Sequence, residues 1–278
     1  MRMTREEFLA WPRKRVTLLG MSGVGKTRLA NMLRCDDWFH YSVDYRIGTR
    51  YLDESILDNI KVQAMQVPFL RDLLRSDSIY ISNNITVDNL KPLSTFLGML
   101  GNPDLGGLSL QEFKRRQRLH LDAEIAAIGD VEQFIEKAGT VYGYDHFLND
   151  SSGSFCEIDD PAVIRQVADN TLMIYIEASP DDEKKLIERA AKDPKPLYYR
   201  ESFLDEQLQT YMESVNIEYT TEIDPADFVR WVFPHLFRSR VPRYAAIANE
   251  HGYTISAKDA FEVNDCDEFI DLIGQALD

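Results

Sequence analysis

Apolar residues in this chain follow two spacings. Short continuous runs bounded by turn residues alternate with stretches where apolar positions recur every three or four residues. Arg15-Val16-Thr17-Leu18-Leu19 is the first run, β-branched and apolar as a strand covered on both faces should be. Phe39 to Asp44 predicts a second strand ending in an acid, and Asp145 to Asp150 a third. Leu172-Met173-Ile174-Tyr175-Ile176-Glu177 is the clearest buried strand. Ser78–Ser82 and Asn216–Tyr219 read as short strands. Helical spacing follows Lys26 to Leu33, then covers about Ser55 to Ser76. It returns after the cap residues Asn83 to Asp88 through Leu100, and from Ser109 past Ala127, where Ser109 and Glu112 form a capping-box pattern. Further helices are predicted over Asp130–Gly139, Pro180–Ala191, Phe203–Glu213, and from Asp224-Pro225 through Phe237. Beyond that, Arg243–Asn249 and Asp267–Leu277 are helical, with Gly252–Ile255 as a short strand between them. Strands alternating with helices specify an α/β fold with a parallel sheet and right-handed crossovers. Ligands of such sheets sit beyond the carboxyl ends of the strands, where Gly20, Asp44, Asp150 and the loop after Glu177 fall.

Composition narrows the class. The 278 residues suffice for one large domain, or for one core with a sizeable insertion. Hydrophobic content of 44% and charged content of 28% are ordinary for a globular protein. No apolar stretch approaches the roughly 18 residues of a membrane span. Met1 to Arg15 lacks the apolar core of a signal peptide, so a cytoplasmic location without membrane contact is expected. Cys35, Cys156 and Cys266 form neither a metal spacing nor a disulfide framework, and read as small buried hydrophobes. The histidines show no ligand spacing, so zinc is not expected. A net charge of −15 opposes binding to nucleic acid.

The residues between the first strand and its helix carry the strongest signal. Gly20-Met21-Ser22-Gly23-Val24-Gly25-Lys26-Thr27 is a complete G-x-x-x-x-G-K-T sequence in a strand–turn–helix context. Its glycines permit torsions and close approaches that let successive backbone N–H groups point inward as an anion nest at the positive end of a helix. The expected nucleotide contacts are Gly20, Ser22, Gly23, Val24, Gly25, Lys26, Thr27 and Arg28. Lys26 reaches the β- and γ-phosphates and the Thr27 hydroxyl holds Mg²⁺. No Asn-Lys-x-Asp guanine-selecting pattern is visible, so ATP is expected rather than GTP.

Phosphoryl transfer needs more than a nest. It requires an acid near the metal, an acid near the acceptor, and cations on the transferring charge. Asp150 is expected to support Mg²⁺ beside Thr27, with Glu177 as its rival, because Gly153 and the serines suit its loop to close ligand approach. Asp44 is expected to orient or deprotonate an acceptor hydroxyl. Arg46 and Arg50 follow it as an acceptor clamp, although the same residues also read as an exposed salt-bridge cluster. Lys114-Arg115-Arg116-Gln117-Arg118 is either a solvated basic face or an anion-recognition patch, with Arg115 and Arg118 on the acceptor. Arg189, Lys192, Lys195 and Arg200 surround a proline-punctuated segment that reads as a mobile cationic lid, or as a plain helix–loop–helix. In the lid reading Arg189 is catalytic and Lys195 contacts the nucleotide.

The order of these parts resembles the shikimate, gluconate and nucleotide kinase group of P-loop NTPases. The resemblance rests on the Gly20–Thr27 loop, on Asp44 with Arg46 or Arg50 soon after, and on Lys195-Pro196-Leu197-Tyr198 after a helix containing Arg189. It covers about half the chain. It implies a three-layer α/β/α fold with a five-stranded, mostly parallel sheet, together with ATP, Mg²⁺ and a closing lid. It also implies an adenine-contacting loop at Tyr219 to Asp224. Asn149 to Gly153 replaces that group's Gly-Gly-Gly turn, and Lys195 its lid arginine. The division that follows is a nucleotide-binding core of residues 1–46 and 140–237, a helical acceptor-binding insertion of residues 47–139, and a C-terminal helical extension of residues 238–278 packed on the core.

The expected activity is transfer of the γ-phosphoryl group of ATP to a small anionic acceptor. Two alternatives stand beside it: an ATPase or nucleotide-dependent switch acting on a protein partner, and a kinase of a nucleotide or RNA end, which the basic patch keeps open. The sequence sets neither the acceptor nor the oligomeric state.

Overall fold

A computed structural model of the chain describes residues 1–34 and 37–278; Cys35, expected to be a small buried hydrophobe, lies outside them. In chain order the elements are α1 (Arg5–Ala10), β1 (Arg15–Leu19), α2 (Lys26–Leu33), β2 (Trp38–Ser42), α3 (Val43–Arg46), α4 (Asp53–Ala64), α5 (Pro68–Arg75), α6 (Lys91–Leu97), α7 (Leu110–Gly129) and α8 (Val131–Thr140). They continue as β3 (His146–Asp150), α9 (Pro161–Asn170), β4 (Leu172–Glu177), α10 (Pro180–Lys192), α11 (Glu201–Val215), α12 (Pro225–His251), β5 (Gly252–Ser256), α13 (Ala257–Glu262) and α14 (Cys266–Ala276).

The five strands form one sheet in the order β2-β3-β1-β4-β5, and every neighbouring pair is parallel. The expected α/β class holds, and the sheet is parallel throughout. Helices packed along it make an arrangement compatible with three α/β/α layers. The sheet interior is largely apolar and carries a polar chain: Asn149 Nδ2 donates to Thr17 Oγ1 at 3.1 Å, and the hydroxyls of Thr17 and Thr171 lie 2.7 Å apart, while Asn149 Oδ1 has no partner. Buried polar groups are tolerable when paired in this way. Parallel pairing brings all the strand carboxyl ends to one side. Gly20 follows β1, Asp44 follows β2, Asp150 ends β3, and α13 follows β5 there.

Several elements differ from the pattern read off the sequence. The second strand stops at Ser42, whose Oγ accepts from Tyr45 N–H and caps α3, so Asp44 lies on a helical turn rather than at a strand end. The long helix expected to reach Ser76 breaks ahead of Pro68, which lacks an N–H and starts α5 at its first position. Ser78–Ser82 forms no strand, and Tyr80 within it is 88% exposed, without the buried face a strand there would need. Asn216–Tyr219 forms none either, because Asn216 ends α11 in the left-handed conformation. The short strand read over Gly252–Ile255 is present as Gly252–Ser256, and it joins the sheet beside β4 as its fifth strand. The helix expected to end at Phe237 runs on to His251 with Pro234 and Pro242 inside it, so the boundary placed at residue 237 falls within one continuous element.

A second apolar cluster joins α7, α11 and α12 through Phe113, Leu204, Leu208, Phe228, Val232 and Leu236. Residues 47–139 contain helices, turns and two isolated bridges, Thr86 with Asn89 and Leu100 with Leu108, but no strand among the described residues. They are not a detached module. α7 buries Ala123, Ala127 and Ile128 in the main core and Phe113 in the second cluster.

Candidate functional site

The glycine-rich turn is built where sequence reading places it. α2 begins at Lys26 with Gly25 as its N-cap, and no side chain caps it. The first N–H groups of a helix have no acceptor within it. Here they adjoin a cavity of about 360 Å³ lined by Ser22, Gly25, Thr27, Arg28, Asp44 and Asp150, among others. The buried Lys26 side chain curls back over the turn, its Nζ donating to Gly20 O at 2.7 Å and Met21 O at 3.1 Å. Gly23 has φ +96°, and the Arg189 guanidinium covers the space a side chain would need. Gly153 similarly packs its backbone against Ser22, so the turn after β3 and the turn after β1 touch.

Acids converge on this lysine. Thr27 Oγ1 donates to Asp150 Oδ2 at 2.7 Å. Glu177, its rival, is the exposed last residue of β4 and does not line this cavity. Desolvation lowers the Lys26 ammonium below its ordinary range, while Asp150 and Asp44 oppose that shift. The Asp44 carboxyl is pushed up to about 6, first by burial and then by Asp150, with Lys26 pulling the other way. The cavity therefore places a carboxyl that titrates near neutrality beside a buried ammonium and a Thr–Asp pair. Among the described residues no three His, Cys, Asp or Glu side chains group as a metal cage.

A second cavity of about 470 Å³ adjoins the first and shares Gly23, Arg189 and Phe261 with it. Its walls come from α10 and α13, including Leu186 and Ala257. Phe261 is 46% exposed and packs near Gly25. The Tyr219 to Asp224 segment, expected to contact adenine, is elsewhere: Ile223 O accepts from Asn102 N–H at 2.8 Å, and Ile223 belongs to the second apolar cluster.

Of the remaining expected contacts, Arg28 lines the first cavity while its guanidinium is engaged elsewhere, and the others lie outside the cleft. Arg28 spans from α2 to the chain around α13, donating to Ala260 O and Val263 O at 3.3 and 2.8 Å. Arg46 pairs with Asp130 at 2.8 Å and lies over the Phe134 ring. Arg50 is exposed and lines neither cavity. Arg115 is bound by both carboxylate oxygens of Glu112. Arg116 is buried against Glu112, Asn59 and Phe96 O, and Lys114 pairs with Asp205 and Glu201. Arg118 is exposed and belongs to a separate groove beside Tyr198 and Arg200. Lys195 is exposed, 3.1 Å from Asp193. The segment expected to be a mobile lid is pinned: Gln117 bonds Leu197 O and Tyr199 N–H, Arg240 donates to Tyr198 O, and Arg200 lies 3.3 Å from Glu157. Of the expected lid cations only Arg189 reaches the glycine turn.

Sequence reading missed the buried groups beneath the Asp150–Gly153 turn. Glu124 of α7 is fully buried and accepts from the hydroxyls of Ser152 and Ser154. Its carboxyl is raised to about 7, chiefly by burial, and the neighbouring His120 imidazole is lowered to about 4 by the same cause. Arg240 of α12 is buried against Glu157 at 2.9 Å and donates to Gly153 O at 2.9 Å. Helical spacing places Glu124 and Arg240 on the apolar faces of their helices, the only signal either gave. Cys156 is buried, and the half-buried Cys266 sulfur accepts from Trp38 Nε1–H at 3.3 Å. No described helix is long and apolar enough to cross a membrane. No protein-family model matches this chain, and no curated protein matches it.

Proposed function

We propose that the chain is an ATP-binding P-loop protein that transfers the γ-phosphoryl group to a hydroxyl acceptor with Mg²⁺. The observation that carries this reading is the Thr27–Asp150 hydrogen bond across the glycine turn, beside the buried Lys26 amine. A hydroxyl and one carboxylate suit Mg²⁺, which demands octahedral oxygen geometry and is usually held by one or two carboxylates plus phosphate oxygens and water. Thr27 and Asp150 are the residues that would hold it. Bound there, the ion would neutralise charge on the β- and γ-oxygens.

The chain's own groups divide the remaining work. The uncapped first turn of α2 supplies N–H donors to phosphate oxygens, and Lys26 exchanges the Gly20 and Met21 carbonyls for them. Arg189 crosses Gly23 and stands ready to stabilise transferring charge. Asp44 accepts the proton that leaves the acceptor hydroxyl as its oxygen bonds to the γ-phosphorus and the bond from that phosphorus to the β–γ bridging oxygen breaks, releasing ADP. A carboxyl titrating near 6 is suited to that task at neutral pH. The cavity between α10 and α13 fits a nucleoside, with the Phe261 ring as an apolar wall. The basic residues first expected on the acceptor lie elsewhere, so an anionic acceptor has no cation clamp among Arg46, Arg115 and Arg118. The test is a pooled-metabolite screen with ATP and Mg²⁺, read as a mass gain of one phosphoryl group. Wild type should produce one and Lys26→Ala none; a gain unaffected by Lys26→Ala refutes the reading.

A second reading, an ATPase switch acting on a protein partner, draws on one feature. α5 buries no residue, and Phe69 is 70% exposed, with Val62, Val67 and Tyr80 also exposed in the neighbouring sequence. Slow hydrolysis without any acceptor, abolished by Lys26→Ala, would favour it.

A further inference from the structure

His40 is a buried titratable side chain beside Asp150 that the proposed chemistry leaves without a task. Register pairs His40 of β2 with Leu148 of β3, and Ser42 with Asp150. Strand alternation therefore puts His40 and Asp150 toward the same face of the sheet. The His40 side chain is 1% exposed, and Nε2 lies 3.5 Å from Asp150 Oδ2. That oxygen is the one that already accepts from Thr27 Oγ1. Neither ring nitrogen of His40 has a hydrogen-bond partner.

A buried imidazole in that condition costs stability. Unsatisfied buried polar atoms lose their hydration and gain nothing in exchange. A Phe or Leu would fill the same space, between core residues Trp38 and Tyr41, without that loss. The gain has to lie in what Nε2 faces. Nε2 stands 3.5 Å from Oδ2, just outside a hydrogen bond, so a small closing movement would give that oxygen a second donor and fix the rotation of the carboxylate. Metal-ligating carboxylates are commonly held in this way by neighbouring donors.

We infer that His40 is a positioning residue for Asp150: its Nε2–H, closing on Oδ2 beside the Thr27 hydroxyl, would fix that carboxylate for the Mg²⁺ that accompanies the nucleotide. The proton is assigned to Nε2 because a carboxylate oxygen faces that nitrogen. His40 touches neither substrate nor metal. This inference rests on the nucleotide reading above and adds a residue to it.

The experiment is calorimetric titration of ATP at a series of Mg²⁺ concentrations, and in EDTA, for wild type, His40→Phe and His40→Gln, with a thermal melt of each. His40→Phe should melt no lower than wild type. It should need about tenfold more Mg²⁺ for half-maximal tightening of ATP binding, in keeping with the cost of losing a partner of a metal ligand. Binding in EDTA should stay within about twofold, since the phosphate contacts are untouched. His40→Gln, whose amide places an N–H donor near Nε2, should recover most of the Mg²⁺ response. An unchanged Mg²⁺ dependence in His40→Phe overturns the inference while leaving the nucleotide reading intact. A lower melting point with the same loss in both variants makes His40 a packing residue and also overturns it. If wild type takes up no ATP, both readings fall together.

Discussion

Cations occur both at the glycine turn and along α7, and the two regions use them in opposite ways. At the turn, Lys26 is buried with only backbone carbonyls as hydrogen-bond partners, and Arg189 lies over Gly23. Along α7, Lys114, Arg115 and Arg116 are each held by carboxylates of the same protein. A cation satisfied by carbonyls loses little by exchanging them for phosphate oxygens, whereas a cation in a bidentate carboxylate pair must first give that pair up. A cluster of basic letters therefore says less than the partners each side chain already has.

Substitutions can break this contrast, and the largest effect belongs to Lys26. Lys26→Ala should abolish phosphoryl transfer, assayed by mass with ATP and an acceptor. Asp44→Asn comes next: turnover should fall about 10²- to 10⁴-fold, the usual worth of a positioned base, with ATP binding nearly spared. Retained turnover in that variant would remove Asp44 from the chemistry. In wild type, the rate at saturating substrate should rise as pH climbs through about 6, where Asp44 becomes ionised.

Stability offers a third test. Arg240→Met leaves Glu157 buried with only the 3.3 Å contact to Arg200, and should cost about 3–5 kcal/mol in chemical denaturation. A smaller effect comes from Glu124. Its carboxyl rises from 4.5 to about 7 on folding, so the folded chain binds more protons than the unfolded chain between those values. The stability this provides is complete below about 4.5 and lost as pH climbs through about 7. Asp44 adds a shift of the same sign, from 3.8 to about 6. Glu124→Gln should flatten the decline between pH 5 and pH 8 measured by denaturant melts; an unaltered slope would show that this carboxyl ionises freely. The smallest effect is expected on α7. Arg115→Ala removes an exposed pair with Glu112 and should change stability by no more than about 0.5 kcal/mol. It should leave nucleotide binding unchanged.

The same contrast separates what was legible in the sequence from what was not. The first strand, the glycine turn and α2 were readable because their signal is local: β-branched run, glycines and helical spacing are contiguous. Asp150 was readable because a strand end needs no distant partner to define it. Arg115 and Lys195 were read as ligand contacts although they pair with the near neighbours Glu112 and Asp193, and Arg46 because its acid, Asp130, is distant in the sequence. Phe261 was out of reach for a related reason: β5 brings it beside Gly25 from near the end of the chain. Sequence reading ends the helix from Pro225 at Phe237, ahead of Pro242, which removes a helical hydrogen bond. Yet Phe233, Phe237, Tyr244 and Ile247 keep one buried stripe through it, and packing outweighs the missing hydrogen bond. His40 and Glu124 lay within apolar runs, where a polar letter does not reveal whether its partner is a structural group or a ligand.

Everything functional in this account depends on the first turn of α2 and Lys26 gripping a nucleoside triphosphate. Titration calorimetry of ATP with Mg²⁺ into folded wild type, Arg118→Ala and Lys26→Ala tests that grip directly. One nucleotide should bind per chain in wild type and in Arg118→Ala, with no binding heat in Lys26→Ala. Absence of heat in folded wild type, or equal binding by Lys26→Ala, would contradict it.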